Sequence, residues 1–439
     1  MDFDEALQYL LSLGHETLTI KLGLRNTELL LHSLKNPEKA FPAVQIAGTN
    51  GKGSTAVVLD SICRNTNIKT GLYTSPHLQS ITERIKIAGV ELSREDFARH
   101  ATEVRNAAND LLHNGQIDAL PTFFEQVTAI ALVAFRDEGI ELAILETGLG
   151  GRLDSTTAAK AEVCALTQIA FDHEEYLGHT IESIASEKAA IIRPGTRVVV
   201  ANQQPEALKV IMKRCEEINV LPLLNGCVST VEEVSPDGRF RVTFVTATDR
   251  YESVWLGLRG RHQIENVALS IQLAEILRSA GFEFFQTSII KGIETASHPG
   301  RLELLGRNPK FLLDGAHNPA GARALRDFLD HFAPRPLTIV FGAMADKRIE
   351  EIAEILFPIA DNLVLTAIPN PRAASTEMMQ SIAKRFVKGR VITCDRSDEA
   401  LKVARAQTEP DGMICITGSL YLIGEIHDRV IDRSTSVNA

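Results

Sequence analysis

The 439-residue chain has six cysteines, Cys63, Cys164, Cys215, Cys227, Cys394 and Cys415, and no CxxC pair among them. Neither a disulfide framework nor a zinc site is supported. Cys164, Cys394 and Cys415 sit inside apolar strand-like runs and read as core thiols of a reducing compartment. Basic charge is scarce and scattered: the net charge is −10, and no polybasic arm offers itself to nucleic acid or to an anionic membrane. No apolar run approaches the length of a membrane span, and the N-terminus, MDFDEALQYL, lacks the basic and apolar regions of a leader. A cytoplasmic protein is expected. There is no GxSxG elbow, no cysteine in a nucleophile's setting, and no GxGxxG after a strand with a matching acidic partner, although residues 148–151 read GLGG. No internal repeat or low-complexity segment is visible.

What is present is an ordinary globular composition, 44% hydrophobic, in a chain long enough for two or three domains. Its centre is AGTNGKGST, Ala47 to Thr55, between the apolar run Val44–Ile46 and a helical pattern carrying Val57, Val58, Leu59 and Ile62. A strand, a glycine-rich turn and a helix start together make an anion site, because a helix N-terminus presents unpaired N–H groups and the positive end of its dipole. Gly48, Thr49, Asn50, Gly51 and Gly53 would wrap a phosphate, Lys52 would reach its terminal oxygens, and Ser54 or Thr55 would hold a hydroxyl near magnesium. The spacing departs from GxxxxGK[ST]: Ile46 stands where the first glycine belongs, and Gly53 is inserted between lysine and serine.

Strands and helices alternate from there to about residue 218, as in a doubly wound α/β domain. The strand 142–145 is predicted to deliver Glu146 into a glycine-rich loop. Between Val228 and Arg259 the period changes to two, a small antiparallel patch, followed by a long amphipathic helix, Gln263 to Ser279. After Pro299 and Gly300 the alternation restarts. The expectation is α/β throughout: a P-loop-type doubly wound domain with the antiparallel patch over residues 1–297, and a Rossmann-like α/β domain over 298–439.

Ser75, Glu146 and His173 each follow a predicted strand end and offer hydroxyl, carboxylate and imidazole to a metal at the phosphate edge. Magnesium favours oxygen ligands, so the histidine is the less usual member. Each alone has a plain structural explanation, as a turn residue, a strand-end carboxylate or a loop histidine. A second group gathers at the domain junction: His262, Gln263 and Asn266 at a helix start, Arg301 past the hinge, and Asp314 with His317 in LLDGAHNP. An arginine beside a γ-phosphate stabilises charge in transfer, and a strand-end Asp can accept from ribose hydroxyls. The alternatives are a surface amide for Asn266 and a hinge salt bridge for Arg301. A cleft between domains follows from the arrangement.

Taken in order, AGTNGKGST, TSPHL with ERI, ETGLGGRLD, FDHEEYLG, SEKAAI, HQIENV, HPGR and LDGAHNP resemble the folylpolyglutamate synthase and dihydrofolate synthase family of the Mur ligase superfamily, from about Leu22 to Gly424. The resemblance implies ATP-dependent amide formation between a folate-type carboxylate and L-glutamate through an acyl phosphate, with dihydropteroate and tetrahydrofolate both accepted. It implies ATP, two magnesium ions and a monovalent cation such as K+. Ser54, Ser75 and Glu146 would serve one magnesium, and Glu146 and His173 the second. Lys188 in SEKA looks like the family's carbamylated lysine, Lys52 and Arg301 would neutralise the phosphoryl group, and Asn266, Arg301, Asp314 and His317 would contact nucleotide. A monomer is expected, without nucleic-acid or membrane partners. Asp154–Thr157 departs from the family's DATN, and Ala190 from its SEKAG. LGLR, Leu22 to Arg25, resembles a pterin-side loop, while Phe123 and Phe124 offer either stacking surface or core volume. Rival readings are a monofunctional folylpolyglutamate synthase, a peptidoglycan-branch ligase, against which the lack of a domain before the phosphate loop argues, and a non-catalytic nucleotide-binding regulator.

Overall fold

The computed structural model describes residues 1–14, 23–387 and 389–435. The sequence predicts a loop over TIKLGLR, residues 19–25, of which 19–22, including Leu22 of LGLR, lie outside the described residues.

An eight-stranded sheet organises the first part of the chain. In spatial order its strands are Val90–Glu91, Ile85–Ile87, Thr70–Tyr73, Leu142–Glu146, Ala43–Ala47, Val163–Leu166, Arg197–Val200 and Pro222–Leu224. The six from Thr70–Tyr73 onward run parallel, and the first two, at one edge, pair antiparallel. All five residues of Ala43–Ala47 are buried, as a parallel strand covered on both faces requires. Ala43, Tyr73, Ala143 and Leu145 face helices Arg94–His113 and Phe123–Asp137, while Val44, Ile46, Leu72 and Ile144 face helices Lys52–Asn65 and Gln263–Ser279. Both neighbours of Ala43–Ala47 follow it in the chain, and the connection leaving Ala43–Ala47 leads to Thr70–Tyr73 on one side whereas the one leaving Val163–Leu166 leads to Arg197–Val200 on the other. These connections part beyond the carboxyl end of the central strand and open a crevice there.

Strands Cys227–Val234, Phe240–Thr246 and Arg250–Trp255 form the antiparallel patch. Its inward Phe240, Val242 and Phe244 pack in the same core as helix Gln263–Ser279. That helix corrects the amphipathic expectation. It is buried nearly all round, including Gln263, Asn266, Ser270 and Gln272, because it lies among the main sheet, helix Lys52–Asn65 and the patch. The second α/β unit has six strands in the order Glu303–Leu305, Lys310–Asp314, Met413–Thr417, Leu337–Phe341, Asn362–Thr366 and Arg390–Cys394, parallel except for the first.

Two further differences concern strand ends. Glu146 is the last residue of its strand and only 6% exposed, not the first residue of a loop. The edge strands Ile85–Ile87, Val90–Glu91, Pro222–Leu224 and Glu303–Leu305 escape a periodicity reading because two or three residues show no period. The cysteines are all free, five of them buried.

Candidate active site

The phosphate loop is glycine-rich because neighbouring side chains press on its backbone. Gly51 caps helix Lys52–Asn65 at φ 89°, and a Cβ there would stand 2.2 Å from Asn266 Oδ1. At Gly53 a Cβ would meet His298 Cε1 at 2.9 Å and Glu146 Oε2 at 3.3 Å. Both close approaches tie the loop to distant parts of the chain. The amides of Thr49 and Asn50 donate to the Gln168 carbonyl at 2.9 and 3.2 Å, and Thr49 Oγ1 donates to Ala170 O at 3.0 Å. Lys188 Nζ donates to Gly48 O at 2.8 Å, and Lys52 Nζ to Thr49 O at 3.1 Å.

Around this loop the parallel strands deliver their C-terminal residues. The Ser75 amide donates to Glu146 Oε2 at 3.1 Å. Asp154 accepts from the amides of Gly148 and Leu149, both at 3.0 Å, and Thr157 donates to the Gly151 carbonyl at 2.7 Å. The departure from DATN therefore still supplies a threonine that shapes the glycine loop after Glu146. From the second unit, Asp314 accepts from the amides of Leu302 and Ala316 at 2.9 and 3.0 Å. His317 places Nδ1 2.8 Å from Gly315 O and Nε2 3.2 Å from Asp172 Oδ2.

One cavity of about 410 Å³ collects these groups. Thr49, Asn50, Gly51, Lys52, Gly53, Ser54, Ser75, Glu146, His173, Lys188, Asn266, Arg301, Asp314 and His317 all line it. Gly48 and Thr55 do not. Gly48 offers its carbonyl to Lys188 from behind the loop, and Thr55 is fully buried with its carbonyl turned to Ser270 Oγ at 3.0 Å. Asn266 is buried against the loop and is no surface amide. Arg301 forms no ion pair among the described residues. Phe123 goes to the core and Phe124 to the cavity wall.

Burial dominates the electrostatics. It pushes the proton affinity of Glu146 up against the pull of Lys52, and that of Asp314 up against Arg301. It lowers Lys52, and takes Lys188 down to about 7 with help from the Lys52 charge. His173 falls to about 3, mainly through burial, despite Asp172 beside it. Burial alone would raise Asp172, but His173, His317 and Lys347 together hold it well below the ordinary carboxylate range. Glu146, Asp314, Lys52, Lys188 and His173 are thus pushed toward neutrality and Asp172 toward its charged form, in a largely buried cleft where an incoming phosphate or cation is strongly felt.

Family models match along most of the chain. Residues 46–274 match the Mur ligase middle domain, and residues 300–420 the Mur ligase, glutamate ligase domain. The dihydrofolate synthase/folylpolyglutamate synthase of Bacillus subtilis is 35% identical, over 94% of this chain and 95% of its own. Its Escherichia coli counterpart is 30% identical, over 98% and 96%. Mycobacterium tuberculosis folylpolyglutamate synthase complexed with ADP superposes with a TM-score of 0.90 at 30% identity, covering 98% of this chain and 99% of that one. This chain belongs to the folylpolyglutamate synthase and dihydrofolate synthase family. As a member of this Mur ligase branch it is an ATP-binding ligase of folate metabolism, and the cleft between its two sheets is where the family's shared motifs converge.

The motifs of this synthase singled out Gln263 but neither Lys347 nor Asn318, although LDGAHNP contains the latter. Lys347 Nζ reaches Asp172 Oδ1 at 2.7 Å, Asn318 exchanges side-chain hydrogen bonds with Asn50 of the phosphate loop, and Gln263 donates to Ser54 Oγ at 3.3 Å. Lys347 follows the strand Leu337–Phe341, so the strand-end rule that found Glu146 would have found it. Asp172 stood beside His173 in the quoted FDHEEYLG. No helix among the described residues is long and apolar enough to cross a membrane.

Proposed function

We propose that the chain is a bifunctional dihydrofolate synthase and folylpolyglutamate synthase: it joins L-glutamate to dihydropteroate and to tetrahydrofolate, using ATP. The observation that carries this reading is the single cleft in which the phosphate loop, Glu146 and Lys188 of the first unit face Arg301, Asp314 and His317 of the second. The division of labour follows a boundary near His298, with residues 1–297 holding ATP and 298–439 closing over it.

The pterin-linked carboxylate attacks the γ-phosphorus, ADP leaves, and the amine of glutamate then displaces phosphate from the acyl phosphate as the C–N bond forms. Lys52 and Arg301 bind the transferring phosphoryl group and offset its developing charge. Asn266, Asp314 and His317 hold the nucleotide, and Phe124 on the cavity wall packs against the pterin. Enclosure of the cleft keeps water from the acyl phosphate. Ser54, Ser75 and Glu146 suit magnesium: all offer oxygen, and Glu146 is a buried carboxylate without an ion-pair partner among the described residues. Glu146 with His173 would hold a second ion, although a nitrogen donor is the weaker part of that set. Bound there, magnesium supplies charge neutralisation along the phosphates. Lys188, an amine brought to about 7, is suited to carbamylation by CO2. A monovalent cation, a monomeric state and a cytoplasmic location complete the reading.

The test is ADP release with ATP, magnesium, L-glutamate and either dihydropteroate or tetrahydrofolate. Turnover with both is expected. Turnover with tetrahydrofolate alone would make the chain a monofunctional enzyme, and turnover with neither would overturn the proposal.

A further inference from the structure

Gly53 is the residue inserted between lysine and serine of the phosphate loop. What fills the space beside it is a histidine from the hinge. The ring of His298 crowds the place a Cβ on residue 53 would take, with Cε1 2.9 Å from it and the Glu146 oxygens 3.3 and 3.4 Å from it. Its Nδ1 stands 3.3 Å from Ser54 Oγ.

The hydrogen bonds around Ser54 can be assigned by elimination. Gln263 Oε1 accepts from Asn266 Nδ2 at 2.8 Å, which turns Gln263 Nε2 toward Ser54 Oγ at 3.3 Å. An amide nitrogen only donates, so Ser54 Oγ accepts there. The hydroxyl hydrogen must then go elsewhere, and among the described residues His298 Nδ1 is the side-chain acceptor within reach. A hydroxyl that accepts one bond and donates another keeps one lone pair free. A hydroxyl that serves a cation must be fixed in that state, since a hydrogen pointing at the ion would repel it.

We infer that His298 is a positioning residue for the metal site: its Nδ1 takes the Ser54 hydroxyl hydrogen so that a lone pair of Ser54 faces the cation, and residue 53 is glycine to admit the imidazole ring. The same short turn fixes Arg301, whose amide donates to the His298 carbonyl at 3.3 Å. One hinge segment thus carries both the histidine beside the Ser54 hydroxyl and Arg301. The inference rests on the proposed role of Ser54.

The two properties of His298 can be separated. His298→Phe keeps a ring and removes the acceptor, while His298→Asn removes the ring and keeps an acceptor near the position of Nδ1. Binding of Mn2+ to the ADP complex, followed by electron paramagnetic resonance, should weaken about tenfold or more in H298F and stay near the wild-type value in H298N. ADP affinity without metal should be the same in both, and thermal unfolding checks that each variant is folded. Should H298F fail to fold, His298→Leu repeats the test with a smaller apolar side chain. Wild-type Mn2+ affinity in H298F, or a loss in H298N equal to that in H298F, overturns the inference. Ser54→Ala distinguishes the two levels: if it binds Mn2+ as tightly as wild type, the metal role of Ser54 itself fails, and if it binds weakly while H298F does not, only the role of His298 is lost.

Discussion

Lys52 and Gly51 show how much a single position does in this cleft. The Lys52 ammonium is buried and its proton affinity is lowered, with no ion pair among the described residues to offset burial, so the folded chain gains little from it. Lys52→Ala should leave the unfolding midpoint close to wild type while lowering ADP release at least about a hundredfold, since it removes a donor aimed at transferring charge. Retained turnover would refute that role. Gly51 is the opposite case. With φ at 89° and Asn266 Oδ1 2.2 Å from a would-be Cβ, Gly51→Ala should cost about 1–3 kcal/mol in a denaturant titration, because backbone strain and displacement of Asn266 add. An unchanged midpoint would show that the loop relaxes freely. The glycines were legible in the sequence as a pattern, but the groups that require them were not: Asn266 lies more than two hundred positions away.

Among elements, the hinge strand Glu303–Leu305 and the final helix, Leu420–Thr435, share a titrating pair. His427 Nε2 lies 3.1 Å from Glu303 Oε2, and Glu303 also accepts from the Gly300 amide at 2.8 Å. The bond to Glu303 raises His427 above 6.5, its ordinary value. Burial works to raise Glu303, but His427 and the Gly300 amide bring it below 4.5. A raised histidine contributes stability that is complete below its unfolded value and lost as pH rises through the folded one. A depressed carboxylate contributes stability that is present above its unfolded value and lost as pH falls through the folded one. The melting-temperature difference between wild type and His427→Gln should therefore be greatest between those two values and shrink in both acid and alkali; a difference independent of pH would exclude the linkage. The long strands and helices around this pair were readable from their period. Glu303–Leu305 was not, because three residues antiparallel at a sheet edge carry no period of their own.

Over the whole molecule, the segment Phe171–Glu174 acts as the clasp between the two units. Arg348 binds Glu174 through two bonds, one of 2.6 and one of 2.8 Å, and its guanidinium lies 4.3 Å from the Phe171 ring centre. Lys347 and His317 both reach Asp172. Lys347 and Asp172 are nearly enclosed, at 10% and 7% side-chain exposure, so Lys347→Met leaves a buried carboxylate with one charge fewer beside it. A loss of about 3 kcal/mol is expected on unfolding, and a change under about half of that would mean that His317, Asn318 and the His173 amide hold Asp172 without the lysine. What the sequence determined by itself is everything local in cause: the apolar strands, the helices with caps and period, the glycine loop that needs a helix N-terminus behind it, and the strand-end placement of Glu146, Asp314 and His317. Tertiary structure alone decided which of those ends meet. The contacts Asn266–Gly51, His298–Ser54, Asn318–Asn50 and Lys347–Asp172 join residues roughly 150 to 270 positions apart, and their register depends on how two sheets pack across a hinge, which no repeat of three or two residues along the chain encodes.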